Sequence, residues 1–73
     1  MTCLIDVFAK NLRRMRMEQG MTMAQLAEKA GVDTSGVCRW EAGERLPILY
    51  SALCLAKALG CTVEDLVRGE DDG

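Results

Sequence analysis

Two short predicted helices, separated by only three residues, constrain the fold of this chain more than any other feature. The first begins after Thr22, and Gln25, three residues later, completes a capping box. It ends at Gly31, because glycine readily takes the left-handed conformation that closes a helix. The second follows Asp33, a preferred N-cap residue, and covers residues 34–41. Helices this short do not persist alone in water, so they must pack against the rest of the chain.

Three further helices are predicted around this pair. Residues 4–19 place apolar side chains at helical spacing. Pro47 precedes a fourth helix over residues 48–59, and Thr62 begins a fifth over residues 63–68. No alternating run of β-branched residues predicts a strand. The sequence therefore predicts an all-α fold, a compact five-helix bundle with a helix-turn-helix at its centre.

Length and charge define one small domain with an acidic end. The 73 residues are assigned to a single domain, residues 1–69, and a short acidic tail, residues 70–73. The formal net charge of −2 by itself argues against a nucleic-acid partner. Residues 1–63, however, carry 8 basic and 6 acidic side chains, a net charge of +2. The excess of acid lies at the end of the chain, so a DNA-binding role stays open.

The residue types favour a binding protein over an enzyme. The chain has four cysteines but no histidine, and no two cysteines have the C-x₂-C spacing of a metal site. Reduced thiols in the cytoplasm are therefore expected, with no metal, cofactor or small-molecule substrate. No nucleophile has an evident base, and no glycine-rich phosphate loop occurs. No apolar run reaches the ~20 residues that span a membrane.

Three stretches within about residues 8–68 share a pattern with one known family. They read RRMRMEQGMTMAQLAEKAGV, GVCRWEAGERLP and LCLAKALGCTVEDLV. The chain thus resembles the phage-repressor and Cro-like (XRE-type) helix-turn-helix domains. In that family the third helix lies in the major groove and the second crosses the DNA backbone. The resemblance implies a sequence-specific regulator of transcription that binds double-stranded DNA, expected to be a repressor acting as a homodimer.

The third helix is the candidate recognition helix. Carried over by position, the resemblance places five of its residues in the groove: Thr34, Ser35, Gly36, Cys38 and Arg39. Helical geometry agrees independently, because Val37, Trp40 and Glu41 occupy the inward stripe. Arg39 is the first choice as base reader, since a guanidinium can donate two hydrogen bonds to guanine. A phosphate contact or a solvated charge is the alternative for Arg39.

Gly36 is unusual inside a helix, where glycine costs about 1 kcal/mol relative to alanine. A helix whose backbone approaches DNA closely would benefit from the missing side chain. The alternative is that Gly36 makes room for a neighbouring side chain within the protein.

Phosphate contacts are less clearly indicated. The candidates are Thr22, Met23, Arg45, Lys10, Arg13 and Arg14. Met23 stands where the family usually has glutamine, and Glu44 stands where lysine or arginine is common. The N-terminal amides and dipole of the second helix could still hold a phosphate. These departures predict weaker or more specialised DNA binding, and they leave open an alternative function as a protein-interaction module, such as an antitoxin or accessory factor.

Two further expectations concern structure and assembly. The resemblance implies an ion pair between Arg16 and Glu41 that ties the recognition helix to the scaffold. On the fourth helix, Leu49 and Leu53 are expected to face the core together with Ala56 and Leu59. A second apolar line is the candidate dimer interface, with an ordinary core as the alternative: Tyr50, Cys54, Ala58 and the following Cys61.

Overall fold

Five α-helices joined by short connections make up residues 3–69, the part of the chain that this computed structural model describes. They are α1 (Leu4–Glu18), α2 (Met23–Ala30), α3 (Thr34–Glu41), α4 (Leu49–Leu59) and α5 (Val63–Val67). The predicted all-α fold and helix order are confirmed, and every helix end lies within one residue of its predicted position. None of the helices in this range is long and apolar enough to cross a bilayer. The acidic tail, residues 70–73, lies outside the described residues.

Reciprocal capping boxes begin α2 and α5. The Thr22 hydroxyl oxygen accepts the Gln25 amide hydrogen at 3.1 Å, and the Gln25 side chain accepts that of Thr22 at 2.9 Å. Thr62 and Asp65 repeat this arrangement, with both distances 3.1 Å. Asp33 occupies the N-cap position of α3 as predicted, but its side chain makes no capping hydrogen bond. Each box satisfies backbone donors that a helix start leaves unpaired.

One apolar core receives side chains from all five helices. α2 packs against α3 and α4, and α1 packs against α3 and α5. The largest fully buried side chains are Phe8 and Leu12 of α1, Leu26 of α2, Val37 of α3, Leu55 of α4 and Leu66 of α5. The short helices are therefore stabilised by shared packing more than by their own hydrogen bonds.

Two side-chain amides, one within α1 and one at the residue that follows it, attach the later helices to α1. The buried Asn11 side chain donates to the carbonyl oxygens of Leu66, at 2.8 Å, and Arg68, at 2.9 Å. Gln19 donates to the carbonyl oxygen of Leu59 at 2.7 Å. These carbonyls lie at helix ends, where intrahelical donors are missing. The amides therefore satisfy the ends of α5 and α4.

The orientation predicted for α4 is wrong in part. Leu49 and Leu53 are exposed, and the buried stripe consists of Ala52, Leu55, Ala56, Ala58 and Leu59. Ser51 and Lys57 are the two polar side chains of this helix, so its periodicity barely distinguishes an inner face from an outer one. The packing of α2 and α5 against α4 selects the face instead.

The predicted interface line needs the same correction. Ala58 belongs to the core of its own chain, so it is not available to a partner. Cys54 and Cys61 are half-buried and pack against that core. The Cys61 thiol also lies 3.8 Å from the sulfur of Met15. Of the four candidates, Tyr50 alone is largely exposed.

Candidate nucleic-acid interface

The turn between α2 and α3 sets the two helices at an angle. Gly31 ends α2 in the left-handed conformation, with φ of 76°. The amide of Val32 then donates to the carbonyl of Ala27 at 2.9 Å, which closes the last turn. Val32 packs against the core, and Val37, one turn into α3, is fully buried. This apolar contact fixes the direction in which α3 leaves the turn.

α3 has one buried face and one exposed face. Val37 and Trp40 are buried, as the inward stripe predicts. Four of the five predicted base-reading residues lie on the exposed face: Thr34, Ser35, Cys38 and Arg39. The Arg39 side chain makes no hydrogen bond or ion pair within residues 3–69. One solvent-facing surface therefore carries the guanidinium of Arg39, two hydroxyls (Thr34 and Ser35) and the thiol of Cys38.

A bidentate ion pair holds the C-terminal end of α3. Arg16 Nε lies 2.7 Å from Oε2 of Glu41, and Nη2 lies 3.1 Å from Oε1. Nη1 of Arg16 donates to the carbonyl of Met21 at 2.7 Å. The two side chains are 12% and 3% exposed, so water screens the pair weakly. The hydrogen bond with Glu41 raises the pKa of Arg16 above its ordinary value. The pair that the resemblance implies thus ties α3 to α1 and to the start of α2.

Gly36, the fifth predicted reader, is half-buried against the ring of Trp40 one turn later. A Cβ added to Gly36 would lie 3.3 Å from Cη2 and 3.4 Å from Cζ2 of that ring. Such distances are shorter than ordinary van der Waals contact, so a side chain here would press on the core. This supplies the intramolecular reason for glycine. A close approach of the Gly36 backbone to DNA stays a prediction.

The predicted phosphate contacts are divided between two places. Thr22 is exposed at the start of α2, whereas the Met23 side chain is half-buried and packs against the core. Lys10, Arg13 and Arg14 line an open groove of about 480 Å³ beside the turn that follows α3. Arg45, in the loop before α4, is exposed as well. The candidate phosphate-binding groups at the start of α2 are therefore mainly backbone amides, whereas those on α1 are cationic side chains.

A crevice that the sequence did not predict lies at the N-terminal end of α3. Its volume is about 330 Å³, and its lining joins Asp33 and Gly36 to Tyr50 and Ser51 of α4. Tyr50 was assigned only to a dimer interface by the sequence. No local pattern could reveal this proximity, because α3 and α4 meet here through the tertiary fold.

Metal ligands are not assembled in the part of the chain that the structure describes. There, no three histidine, cysteine, aspartate or glutamate side chains approach closely enough to hold a metal ion.

Comparison with known proteins identifies related chains. The Helix-turn-helix family model matches residues 12–66. The HTH-type transcriptional activator BcrR of Enterococcus faecalis is 31% identical over 64 residues, which are 88% of this chain and 31% of that protein. An uncharacterized HTH-type transcriptional regulator of Methanothermobacter thermautotrophicus is 36% identical over 63 residues, 85% of this chain and 91% of that protein. The chain thus spans about a third of BcrR and nearly all of the archaeal protein.

Solved structures show the same fold. The restriction-modification controller protein C.AhdI from Aeromonas hydrophila superposes with a TM-score of 0.81 at 34% identity, covering 85% of this chain and 94% of that one. The hypothetical transcription factor NHTF from Neisseria gives a TM-score of 0.89 at 27% identity, covering 96% and 80%. With the family match over most of the chain and these structural likenesses, the protein belongs to the helix-turn-helix family of the phage-repressor and Cro-like (XRE) type.

Proposed function

We propose that this protein is a transcriptional regulator that binds double-stranded DNA sequence-specifically, with α3 in the major groove. The observation that carries the proposal is the exposed face of α3, held in place by the buried pair of Arg16 and Glu41. A recognition helix must be rigid, because a misplaced donor loses its match to a base edge. The naming of relatives as HTH-type transcriptional regulators supports the same function.

Arg39 is the main base reader in this proposal. Its guanidinium has no intramolecular partner among residues 3–69, so all of its donors are available to DNA. A bidentate contact with O6 and N7 of guanine discriminates by about 1–3 kcal/mol. Thr34 and Ser35, in the first turn of α3, add hydrogen bonds of lower specificity.

The start of α2 holds a DNA phosphate. The Thr22 oxygen already accepts a hydrogen bond from Gln25, so its hydroxyl hydrogen is free to donate. The first amides of α2, those of Met23 and Ala24, have no intrahelical acceptor and point in the same direction. This arrangement replaces the missing side-chain contact at Met23 with backbone donors. Arg45 and the cations of α1 add attraction to the DNA backbone.

The regulator acts in the cytoplasm as a homodimer on two half-sites about one helical turn apart. Repression is the expected direction, because a domain that covers an operator excludes other proteins from that DNA. An activator is the expected alternative where the operator lies beside a promoter without overlapping it.

Selection from a randomised duplex library tests this function. Wild-type protein is expected to enrich a palindromic consensus, and Arg39→Ala is expected to lose discrimination at one base pair per half-site, by about 1–3 kcal/mol. Arg68→Ala is the matched control, because it removes the same charge from an exposed position outside α3. No enrichment by the wild-type chain at low salt would contradict the proposal.

A protein-interaction module is the second candidate function. Two observations favour it: the Met23 side chain faces the core, and Glu44 is exposed in the loop after α3, where it repels phosphate. The salt dependence of binding distinguishes the two functions. DNA affinity falls with a log–log slope of roughly −0.9 per phosphate neutralised, whereas burial of apolar protein surface does not weaken with salt.

A further inference from the structure

The segment after α5 is fixed against the middle of α1. The side-chain amide of Asn11 donates to the carbonyl oxygens of Leu66, at 2.8 Å, and Arg68, at 2.9 Å. Asn11 is only 2% exposed, so water competes little for these hydrogen bonds. The residues that follow Arg68 in the chain therefore start beside Asn11.

Three carboxylates follow this anchor within four residues. They belong to the acidic tail, which lies outside the part of the chain that the structure describes: Glu70, Asp71 and Asp72. Four residues of fully extended chain span at most about 14 Å. The carboxylates of the acidic tail are therefore confined to the surface around Asn11.

Two cations of α1 lie within that reach. Lys10 directly precedes Asn11, Arg14 follows it by three residues, and both are exposed. From the geometry of an α-helix, both lie on one side of Asn11, about 60–100° around the helix and within about 5 Å along its axis. Arg13 lies about 160° away from Asn11 on the same helix. Lys10 and Arg14 thus form the cationic edge of α1 that faces the acidic tail.

The guanidinium of Arg14 keeps donors available for a further contact. Its Nε lies 3.9 Å from Oε2 of Glu18, which is long for an ion pair, and the side chain is 43% exposed. Two other arginines near this edge are engaged elsewhere. Arg16 is held by Glu41, and Nη2 of Arg68 lies 3.7 Å from Oδ1 of Asp65 on α5. Lys10 and Arg14 are therefore the better partners for the acidic tail.

The distribution of charge along the chain favours such a contact. Residues 1–63 carry 8 basic and 6 acidic side chains, a net charge of +2. Residues 64–73 carry 5 acidic side chains and 1 basic, a net charge of −4. A negatively charged segment beside cations that attract DNA must either pair with those cations or repel the DNA.

We propose that the carboxylates of the acidic tail occupy Lys10 and Arg14 in the free protein, in the place that a DNA phosphate takes in the complex. The inference rests on the proposed DNA-binding function. DNA must displace the carboxylates before it reaches these cations, so the acidic tail lowers the affinity for every duplex. The effect matters most for DNA without an operator, because that affinity derives almost entirely from phosphate contacts. The acidic tail thereby limits non-specific binding.

Nuclear magnetic resonance of the free chain tests the contact without DNA. Wild type is compared at low salt with a neutral-tail variant, Glu70→Gln/Asp71→Asn/Asp72→Asn. The side-chain signals of Lys10 and Arg14 are expected to differ between the two proteins, and the difference should shrink as salt is added. The Nε–Hε signals of Arg13 and Arg39 are the internal controls and should coincide. Unchanged signals at Lys10 and Arg14, or equal changes at the two controls, would overturn the proposal.

DNA affinity tests the competition. On a duplex of random sequence at low salt, the neutral-tail variant is expected to bind about tenfold more tightly than wild type, and about threefold of this gain should come from release of two exposed ion pairs. In a Lys10→Gln/Arg14→Gln background the gain should therefore fall to about threefold. Arg13→Gln/Arg45→Gln is the matched control, because it removes the same charge from other exposed positions and should keep the full gain. Equal gains in both backgrounds would contradict the proposal.

The two measurements separate this inference from the proposed function. If the wild-type chain binds no duplex at low salt but the signals of Lys10 and Arg14 respond to the neutral tail, the proposed function fails and the contact within the chain stands. If DNA binds but these signals do not respond, the contact fails and the function stands. Circular dichroism checks that each variant is folded.

Discussion

At the scale of single residues, the helix-turn-helix depends on a few contacts that cross between helices. The guanidinium of Arg16 makes three hydrogen bonds, two to Glu41 and one to the backbone at Met21. They cross from α1 to the C-terminal end of α3 and to the residue before the N-cap of α2, so one side chain positions both helices. Trp40 performs a different task, because its ring fills the space that Gly36 leaves open.

The substitution Gly36→Ala measures the role of that glycine. Alanine gains about 1 kcal/mol of helix propensity, but pressing a Cβ on the Trp40 ring costs about 1–3 kcal/mol. We expect a net loss of about 0–2 kcal/mol in urea unfolding. In a Trp40→Phe background the smaller ring relieves the contact, so the same change should become stabilising. A penalty equal in both backgrounds would show that the ring is not the cause.

At the scale of helices, α2 and α5 use one capping device for different purposes. Thr22 and Thr62 make nearly identical reciprocal hydrogen bonds with the residue three positions later. Both boxes stabilise short helices. At Asp65 the hydrogen bonds from the Thr62 backbone and side chain also hold the carboxyl pKa below its usual range. Only Thr22 lies at the start of α2, where the proposed phosphate contact is made.

The pair Thr22→Val and Thr62→Val separates capping from DNA contact. Each change should destabilise the protein by about 0.5–2 kcal/mol, since it removes a cap of the same geometry. DNA affinity, measured well below the unfolding transition, should fall for Thr22→Val and stay at the wild-type value for Thr62→Val. Equal affinities of the two variants would remove Thr22 from the phosphate contacts. Serine at either position should restore the cap.

At the scale of the whole molecule, stability is limited by size. A domain of 73 residues has roughly 4–11 kcal/mol of unfolding free energy, at typical values per residue. Losing one long-range anchor is therefore a large fraction of the total. Asn11 is such an anchor, because its buried amide satisfies two carbonyls more than 50 residues away.

The substitution Asn11→Ala tests this anchor. It leaves the carbonyls of Leu66 and Arg68 without their donor, which should cost about 1–3 kcal/mol. For a domain this small, each kilocalorie lowers the melting temperature by about 4–8 °C. Scanning calorimetry should show the drop, and Gln19→Ala, which removes one hydrogen bond at a more exposed residue, should show a smaller one. A larger effect for Gln19→Ala would contradict the assignment of Asn11 as the main anchor.

Local chemistry in the sequence determined the helices, their order and the exposed face of α3. Caps such as Thr22 and stops such as Gly31 act through neighbouring residues, so their effect can be predicted from a short window of sequence. The inward stripe of Val37 and Trp40 follows equally from helical spacing. These features predicted the helix-turn-helix and the exposed face of α3, and the resemblance to the family implied the candidate readers on that face.

Tertiary structure decided the rest, because the remaining features join residues that are distant in sequence. The nearly apolar α4 has no polar side to orient it, so only packing could show that Leu49 faces outward and Ala58 inward. The partial burial of Met23 and the crevice between Gly36 and Tyr50 depend likewise on neighbouring helices. Side-chain periodicity determines faces where polar and apolar residues alternate, and packing determines them where they do not.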